Sequence, residues 1–131
     1  MDRRYYTEHT VTSEEIDALG HVNNICYIQW VQNVSEEHWA VLSKHHPFDS
    51  YVWVVLRHEI DYLSAAKLED KITIRTWVGD TYGVKSVRFV ELLKDGKILV
   101  KATTTWCLLD KKTMKVRRIP GEVLDVLSGV Q

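Results

Sequence analysis

The chain has 131 residues and a formal net charge of −1, and hydrophobic residues make up 45% of it. This near-neutral balance gives no reason to expect nucleic acid or a membrane as a partner, and no apolar run approaches the roughly 20 residues of a membrane-spanning helix. The first ten residues lack the apolar stretch of a secretory signal, so a cytoplasmic protein is expected. Cys26 and Cys107 lack metal-ligand spacing, which favours two reduced, structural thiols.

The first predicted elements are a short strand and a long helix. Residues 4–11 are predicted to form the strand, and residues 12–23 a loop. From Asn24 to about Ser43 the apolar residues recur at helical spacing, which predicts a helix that is buried over much of its surface. The positions that carry this spacing are Tyr27, Trp30, Val31, Val34, His38, Val41 and Leu42.

After residue 49 the hydrophobic pattern changes from helical to alternating. Alternation with a period of two predicts a strand. It predicts four long strands, within residues 51–63, 71–78, 84–93 and 97–109. In the first of these, one face is expected to hold Val52, Val54, Leu56, His58, Ile60 and Tyr62.

Turn residues separate these strands. Residues 80–83 and 94–97 are the expected turns, and the second contains Asp-Gly, which tolerates positive φ. A short helix or turn is expected after Pro120. The order of a strand, a long helix and four strands predicts an α+β fold in which a curved antiparallel sheet of about five strands wraps one central helix. Such a sheet has an edge strand that a second copy could cover, so a dimer is expected.

Polar residues crowd into the stretch DALGHVNN, from Asp17 to Asn24, just before the apolar helix. A helix start has backbone N–H groups without intrahelical partners and a partial positive charge. Because Gly20 lets the chain fold back, the Asp17 carboxylate could face a carbonyl held at that start, which is a hydrolytic arrangement. The alternative is capping, in which Asn23 or Asn24 is the N-cap and Asp17 binds loop amides.

The run from Asp17 to Trp30 resembles the D-x-x-G-H-V-N-N-x-x-Y-x-x-W signature of hotdog-fold thioesterases of the 4-hydroxybenzoyl-CoA thioesterase and acyl-ACP thioesterase type. Residues 57–66 are similar to the second strand of that family, which carries an I-x-Y-x-x-x-A pattern near the site. The resemblance implies a single hotdog domain over residues 1–131 that works as a homodimer or homotetramer. It also implies a hydrolase of acyl-CoA or acyl-ACP thioesters in fatty acid metabolism, without a metal or another cofactor.

The same resemblance implies roles for individual residues. Asp17 stands at the position of the catalytic carboxylate, as nucleophile or general base. Asn24 stands where a backbone N–H polarises the thioester carbonyl, and His21 is expected to shape the loop and to position water or the carbonyl. The expected substrate-binding residues are Gly20, Asn23, His58 and Tyr62. One position departs from the plant acyl-ACP enzymes, which have an asparagine at the place of Leu19, so their additional catalytic group is not expected here.

Other functions fit the sequence less well. No G-x-S-x-G elbow, Gly-rich phosphate loop or H-E-x-x-H motif occurs, which argues against a serine hydrolase, a nucleotide hydrolase and a metal enzyme. A hotdog dehydratase and a non-catalytic acyl-thioester-binding protein remain as alternatives, although Asp17 argues against a mere binder. His58 has a second interpretation, as a histidine of the core. The basic run at residues 110–118 is either a solvated turn or a contact for coenzyme A phosphates or for an acidic carrier protein.

Overall fold

The structure, a computed structural model, describes residues 3–129. The four terminal residues of the expected 1–131 domain lie outside this range. Within it, no helix combines the length and the apolarity required to cross a membrane. The predicted α+β fold with one long helix and five strands is confirmed. The elements are β1 (Tyr5–Thr10), α1 (Asn24–Leu42), β2 (Tyr51–Tyr62), β3 (Lys71–Tyr82), β4 (Lys85–Lys94), β5 (Lys97–Asp110) and α2 (Gly121–Leu127).

All five strands belong to one antiparallel sheet with the order β1-β3-β4-β5-β2. Strands β1 and β2 are therefore its edges. Helix α1 buries one side against the sheet, because its apolar residues recur at helical spacing. The residues of α1 that this packing buries are Tyr27, Trp30, Val31, Val34, Ser35 and His38.

The predicted apolar stripe of α1 is wrong at one position. Val41 is exposed. Near this end of the helix Trp39 packs instead, with its ring centroid 5.7 Å from that of Trp53 and 5.8 Å from that of Phe48. A large ring that reaches both neighbours covers more apolar surface than a valine can, and this accounts for the change of face.

A bulge divides β2 into two halves. The pairing with β5 shifts between Val55 and Arg57, which leaves Leu56 as an extra residue. Before the bulge Trp53 faces α1, and after it Ile60 packs into the core. Because the extra residue exchanges the two faces, the prediction that Val52, Val54 and Leu56 share a face with His58, Ile60 and Tyr62 is wrong.

One predicted turn is confirmed and the other is displaced. Asp95 and Gly96 connect β4 to β5 with φ of 49° and 78°, as expected for a two-residue hairpin turn. Strand β3 continues to Tyr82, so the turn to β4 comprises residues 83 and 84 rather than 80–83. The hydroxyls of Thr81 and Ser86, 2.7 Å apart, bridge the two strands where the turn was expected to begin.

The inner face of the sheet is polar at one end. On β4 the inward-facing residues Val90 and Leu92 are apolar, whereas Ser86 and Arg88, nearer the beginning of the strand, are polar. All four are buried. An arginine is rarely buried without a charged partner.

Candidate active site

The loop before α1 is closed by its own backbone. Ile16 and Val22 form an antiparallel bridge, and the Asp17 N–H donates to the His21 carbonyl oxygen at 2.8 Å. The Oδ1 atom of Asp17 accepts hydrogen bonds from the N–H groups of Leu19, at 2.9 Å, and His21, at 3.2 Å. The carboxylate is thereby fixed in orientation.

Asp17 binds loop amides, as the capping alternative predicted, but it does so through one oxygen. Among the residues that the structure describes, the other oxygen, Oδ2, has no hydrogen-bond partner. Gly20 closes the turn with φ of +79°, and a Cβ at this position would meet no atom within 4 Å. The turn therefore needs glycine for its backbone conformation and not for space. The result is a half-buried carboxylate with one free oxygen.

The start of α1 leaves one backbone donor free. Asn23 is the N-cap, and its Oδ1 accepts from the Ile25 N–H at 3.1 Å. The Asn23 N–H donates to the Glu15 carbonyl oxygen at 2.8 Å, and the Asn23 carbonyl oxygen accepts from the Cys26 N–H at 2.9 Å. No residue within 3–129 accepts a hydrogen bond from the N–H of Asn24, the first residue of the helix. Such a donor is available to a ligand oxygen.

Tyr27 connects the helix start to the segment after β2. Its hydroxyl oxygen accepts from the Ala66 N–H at 2.9 Å, and the Ala66 carbonyl oxygen accepts from the Val22 N–H at 3.0 Å. The rings of Tyr27 and Tyr62 lie 5.7 Å apart. Burial raises the pKa of the Tyr27 hydroxyl, and the negative charge of Asp17 adds to this rise. The structure thus places Tyr62 and Asp17 in the neighbourhood of Tyr27.

His58 is apart from this group. It lies on β2, its Nδ1 is hydrogen-bonded to the Thr104 hydroxyl at 2.8 Å, and burial lowers its pKa. In residues 3–129, no hydrogen bond or ion pair joins it to Asp17. The predicted residues that lie together on the loop and the helix start are Asp17, Gly20, His21, Asn23 and Asn24.

Glu15 anchors this loop and was missed in the sequence. Its carboxylate accepts from the Thr12 N–H at 2.8 Å, from the Trp30 indole N–H at 3.2 Å and from His9 Nε2 at 2.8 Å. Burial alone would raise the pKa of Glu15, but the hydrogen bond from Thr12 and the hydrogen bond and charge of His9 outweigh it and lower that pKa. The signal was present, because Thr-x-x-Glu at residues 12–15 is a capping box.

Neither a metal site nor a reactive thiol stands out near the loop. In the part of the chain described, no three His, Cys, Asp or Glu side chains are grouped so as to hold a metal ion. Cys26 is half-buried, and burial, followed by the charge of Glu15, raises its pKa. A raised pKa keeps the thiol protonated at neutral pH, which supports its structural interpretation.

Comparison with known families places the chain. A family model described as the thioesterase-like superfamily matches residues 11–127, which include the loop, α1 and strands β2 to β5. The chain belongs to the thioesterase-like superfamily. The 19-residue α1 and the five-stranded sheet of this thioesterase-like protein match those of hotdog thioesterases of known structure, so the predicted hotdog fold is confirmed.

Three relatives show the extent of the similarity. The long-chain acyl-CoA thioesterase FadM of Escherichia coli (strain K12) is 27% identical, over 92% of this thioesterase-like chain and 95% of FadM. The chloroplastic acyl-[acyl-carrier-protein] hydrolase FATB3 of Cuphea viscosissima is 30% identical over 55% of the chain, and the match spans only 18% of FATB3. The structure of a predicted thioesterase from Bacillus stearothermophilus has a TM-score of 0.87 at 20% identity, and the match covers 98% of this chain and 97% of that one.

Proposed function

We propose that this protein hydrolyses acyl thioesters to a free acid and a thiol. The observation that carries the proposal is that two groups near each other in the chain, the Asp17 carboxylate and the N–H of Asn24, are incompletely hydrogen-bonded. They belong to one short loop and the helix start that follows it. Membership of the thioesterase-like superfamily supports this activity.

In this proposal the Asn24 N–H binds the thioester carbonyl oxygen. Negative charge develops on that oxygen as the carbonyl carbon is attacked, and the N–H and the dipole of α1 stabilise it. Asp17 acts through its free Oδ2 in one of two ways. As a general base it takes a proton from the attacking water. As a nucleophile it forms an anhydride with the acyl group, which water then hydrolyses. In both, the C–S bond breaks and the thiolate takes up a proton.

Acyl-CoA is the substrate class that the comparisons favour over acyl-ACP. The similarity to FadM, a long-chain acyl-CoA thioesterase, extends over nearly the whole of both chains. The similarity to the plant acyl-carrier-protein hydrolase is confined to a small part of that enzyme. Carrier-protein thioesters are therefore the second substrate class to test.

We further propose that the protein is a homodimer, or a dimer of dimers, formed through β2. This 12-residue strand is a sheet edge, and Leu56, Tyr62 and the adjacent Leu63 are exposed. Exposed apolar residues on an unpaired edge favour pairing with another copy.

Antiparallel pairing of two β2 strands would also give the basic run at residues 110–118 a role in binding. Within one chain, residues 110–118 begin beside Tyr51, at the end of β2 opposite Tyr62. The two ends are eleven residue-to-residue steps apart, or about 36 Å along the strand. In an antiparallel pair the basic run of one copy would approach the Tyr62 end of the other, where the phosphates of coenzyme A could meet it.

The proposal is tested by thiol release from short, medium, long and aromatic acyl-CoAs. We expect turnover by the native protein and a loss of at least about 100-fold in Asp17→Asn, which is the usual scale for a positioned acid–base group. Asp80→Asn is a matched control, because Asp80 is exposed on β3, away from the loop. A near-native rate for a folded Asp17→Asn variant would refute the mechanism. If no acyl-CoA is hydrolysed, acyl carrier protein thioesters are tested next, and inactivity on both would favour a non-catalytic binder.

No observation favours a dehydratase. That activity usually requires a histidine paired with an acid across a dimer, and the histidine–carboxylate pair found among residues 3–129, His9 with Glu15, lies within one chain. Glu15 already binds Thr12 and Trp30, which is typical of a structural anchor.

A further inference from the structure

A pocket lies between the later part of α1 and the beginning of β2. It has a volume of about 250 Å³. Ser35, on its wall, follows Asn24 by eleven residues, or about 16 Å along the helix axis, and the fully buried Val31 and Val34 lie between them. The pocket is thus distinct from the loop of Asp17. We call it the tryptophan pocket, and the residues on its wall that matter here are Trp39, Trp53, Trp106, Ser35, Ser86 and Arg88.

Arg88 brings a positive charge to this pocket without a counter-ion. Its residue surface is only 5% exposed. Its Nη1 donates to Nδ1 of His38 at 2.7 Å and to the Thr76 hydroxyl at 3.1 Å. Because the Nδ1 of His38 accepts a hydrogen bond, it carries no proton, so neither partner compensates the charge.

No carboxylate within residues 3–129 forms an ion pair with Arg88. Burial lowers the pKa of Arg88 to about 10, which leaves the guanidinium charged at neutral pH. Glu36 also lines the pocket, but it is exposed and makes no such pair. A buried charge without a counter-ion is strongly unfavourable, so an anion from outside would stabilise this arrangement.

The other polar groups of the pocket narrow the choice of ligand. The Nε1 atom of Trp106 is buried and has no hydrogen-bond partner in the described part of the chain. The hydroxyls of Ser35 and Ser86 are already bonded, to the Val31 carbonyl oxygen and to the Thr81 hydroxyl, each at 2.7 Å. The buried groups left over, on Arg88 and Trp106, are donors only, whereas the carboxylate of Glu36 belongs to an exposed side chain. A ligand must therefore supply acceptors and negative charge, together with an apolar body to contact the rings.

We propose that the tryptophan pocket binds a carboxylate with a small aromatic or aliphatic body, the carboxylate on Arg88 and the body among the tryptophan rings. Its volume exceeds the about 150 Å³ that suffices for benzene. The carboxylate has two sources, a free acid or the far end of a dicarboxylic acyl group. The second source rests on the proposed thioesterase function, whereas the first does not.

Tryptophan fluorescence tests the binding, because three tryptophans line the pocket. Benzoate and hexanoate are titrated against their uncharged counterparts, benzamide and hexanamide. We expect saturable binding of the acids, and binding of the amides weaker by about 10- to 100-fold, because the charge-assisted hydrogen bonds are lost. Equal binding of acid and amide, or no saturable signal with the acids, would overturn the proposal.

Variants locate the binding at Arg88. Arg88→Met should weaken benzoate binding by about 10- to 100-fold, whereas Arg57→Met, which changes an exposed arginine of β2, should leave it unaltered. Replacement of a buried charge by an apolar residue is often tolerated, and the comparison of acid with amide in the native protein remains decisive if Arg88→Met does not fold. Trp106→Phe keeps a ring and should weaken binding by several-fold. If the acids bind to the Glu36→Gln variant but not to the native protein, then Glu36 is the counter-ion of Arg88 and the proposal is wrong.

Measurements of turnover distinguish the two sources of the carboxylate, a free acid and the far end of a dicarboxylic acyl group. Dodecanedioyl-CoA and dodecanoyl-CoA differ only at the far end of the acyl chain. If Arg88→Met raises KM for the first alone, the pocket receives the end of the substrate. If it changes neither KM while benzoate binding is lost, the ligand is a free acid. An inactive protein that still binds benzoate through Arg88 would refute the thioesterase proposal and leave this one standing.

Discussion

Acidification should destabilise the protein through His38. This buried histidine of α1 accepts the hydrogen bond from Arg88 and stacks on Tyr5, with ring centroids 5.2 Å apart. Burial, followed by the charge of Arg88, lowers its pKa from 6.5 to about 4. A proton on Nδ1 would abolish the acceptor and place two positive charges side by side.

The sign and the size of the effect follow from proton linkage. Between pH 6.5 and about 4 the unfolded chain binds a proton at His38 that the folded chain does not, so stability falls as the pH falls. The contribution is fully present above pH 6.5, is lost progressively as the pH falls from there, and is gone once the pH has passed through about 4. Between pH 7 and pH 5 the loss is about 2 kcal/mol. Burial also lowers the pKa of His58, which acts in the same direction.

Urea unfolding at pH 7, 6 and 5 measures this loss, at one fixed protein concentration because assembly would change the apparent stability. His38→Gln is the matched variant, since its side-chain oxygen can accept from Arg88 but does not titrate. We expect the variant to lose about 2 kcal/mol less than the native protein over this range. Equal losses in the two proteins would refute the role of His38. The range stops at pH 5 because Glu15, whose pKa is lowered, contributes stability that is lost only below about pH 4.5.

Two further predictions concern the loop and the edge strand. Tyr27→Phe removes the acceptor of the buried Ala66 N–H. The free energy of unfolding, measured in urea titrations, should therefore fall by about 1–3 kcal/mol. A change below about 0.5 kcal/mol would mean that water replaces the hydroxyl. Sedimentation should show a dimer or a tetramer of the native protein. The Leu56→Lys variant should contain more monomer, whereas the control Lys97→Ala, at the exposed β4–β5 turn, should not. A native monomer at micromolar concentration would contradict the proposed pairing of β2.

The features that the sequence predicted are those that neighbouring residues determine. The apolar spacing of α1 and the Asp95-Gly96 turn are complete within a few residues. The groups around Asp17 are also local, because one tight turn brings them to the helix start. The bulge at Leu56 was not predictable in this way, since residues 51–55 before it are apolar on both faces and do not show which face is buried.

Local sequence patterns could not predict contacts between distant residues. Alternation on β4 places Arg88 on the inner face but does not show that it meets His38, 50 residues earlier. His58 likewise finds Thr104 only because β2 lies next to β5. The positive charge of Arg88 on the wall that Trp106 also lines was likewise not anticipated.

The extra residue at Leu56 offsets the alternation of inward and outward side chains between the two halves of β2. It lets one edge strand turn Trp53 and Ile60, residues of opposite parity, toward the same helix. The half that holds Trp53 lines the tryptophan pocket, and the half that ends at Tyr62 contacts Tyr27 near the proposed catalytic loop. Loss of a single residue here would invert one half relative to the other, so the length of this strand is constrained even though it lies at the margin of the sheet.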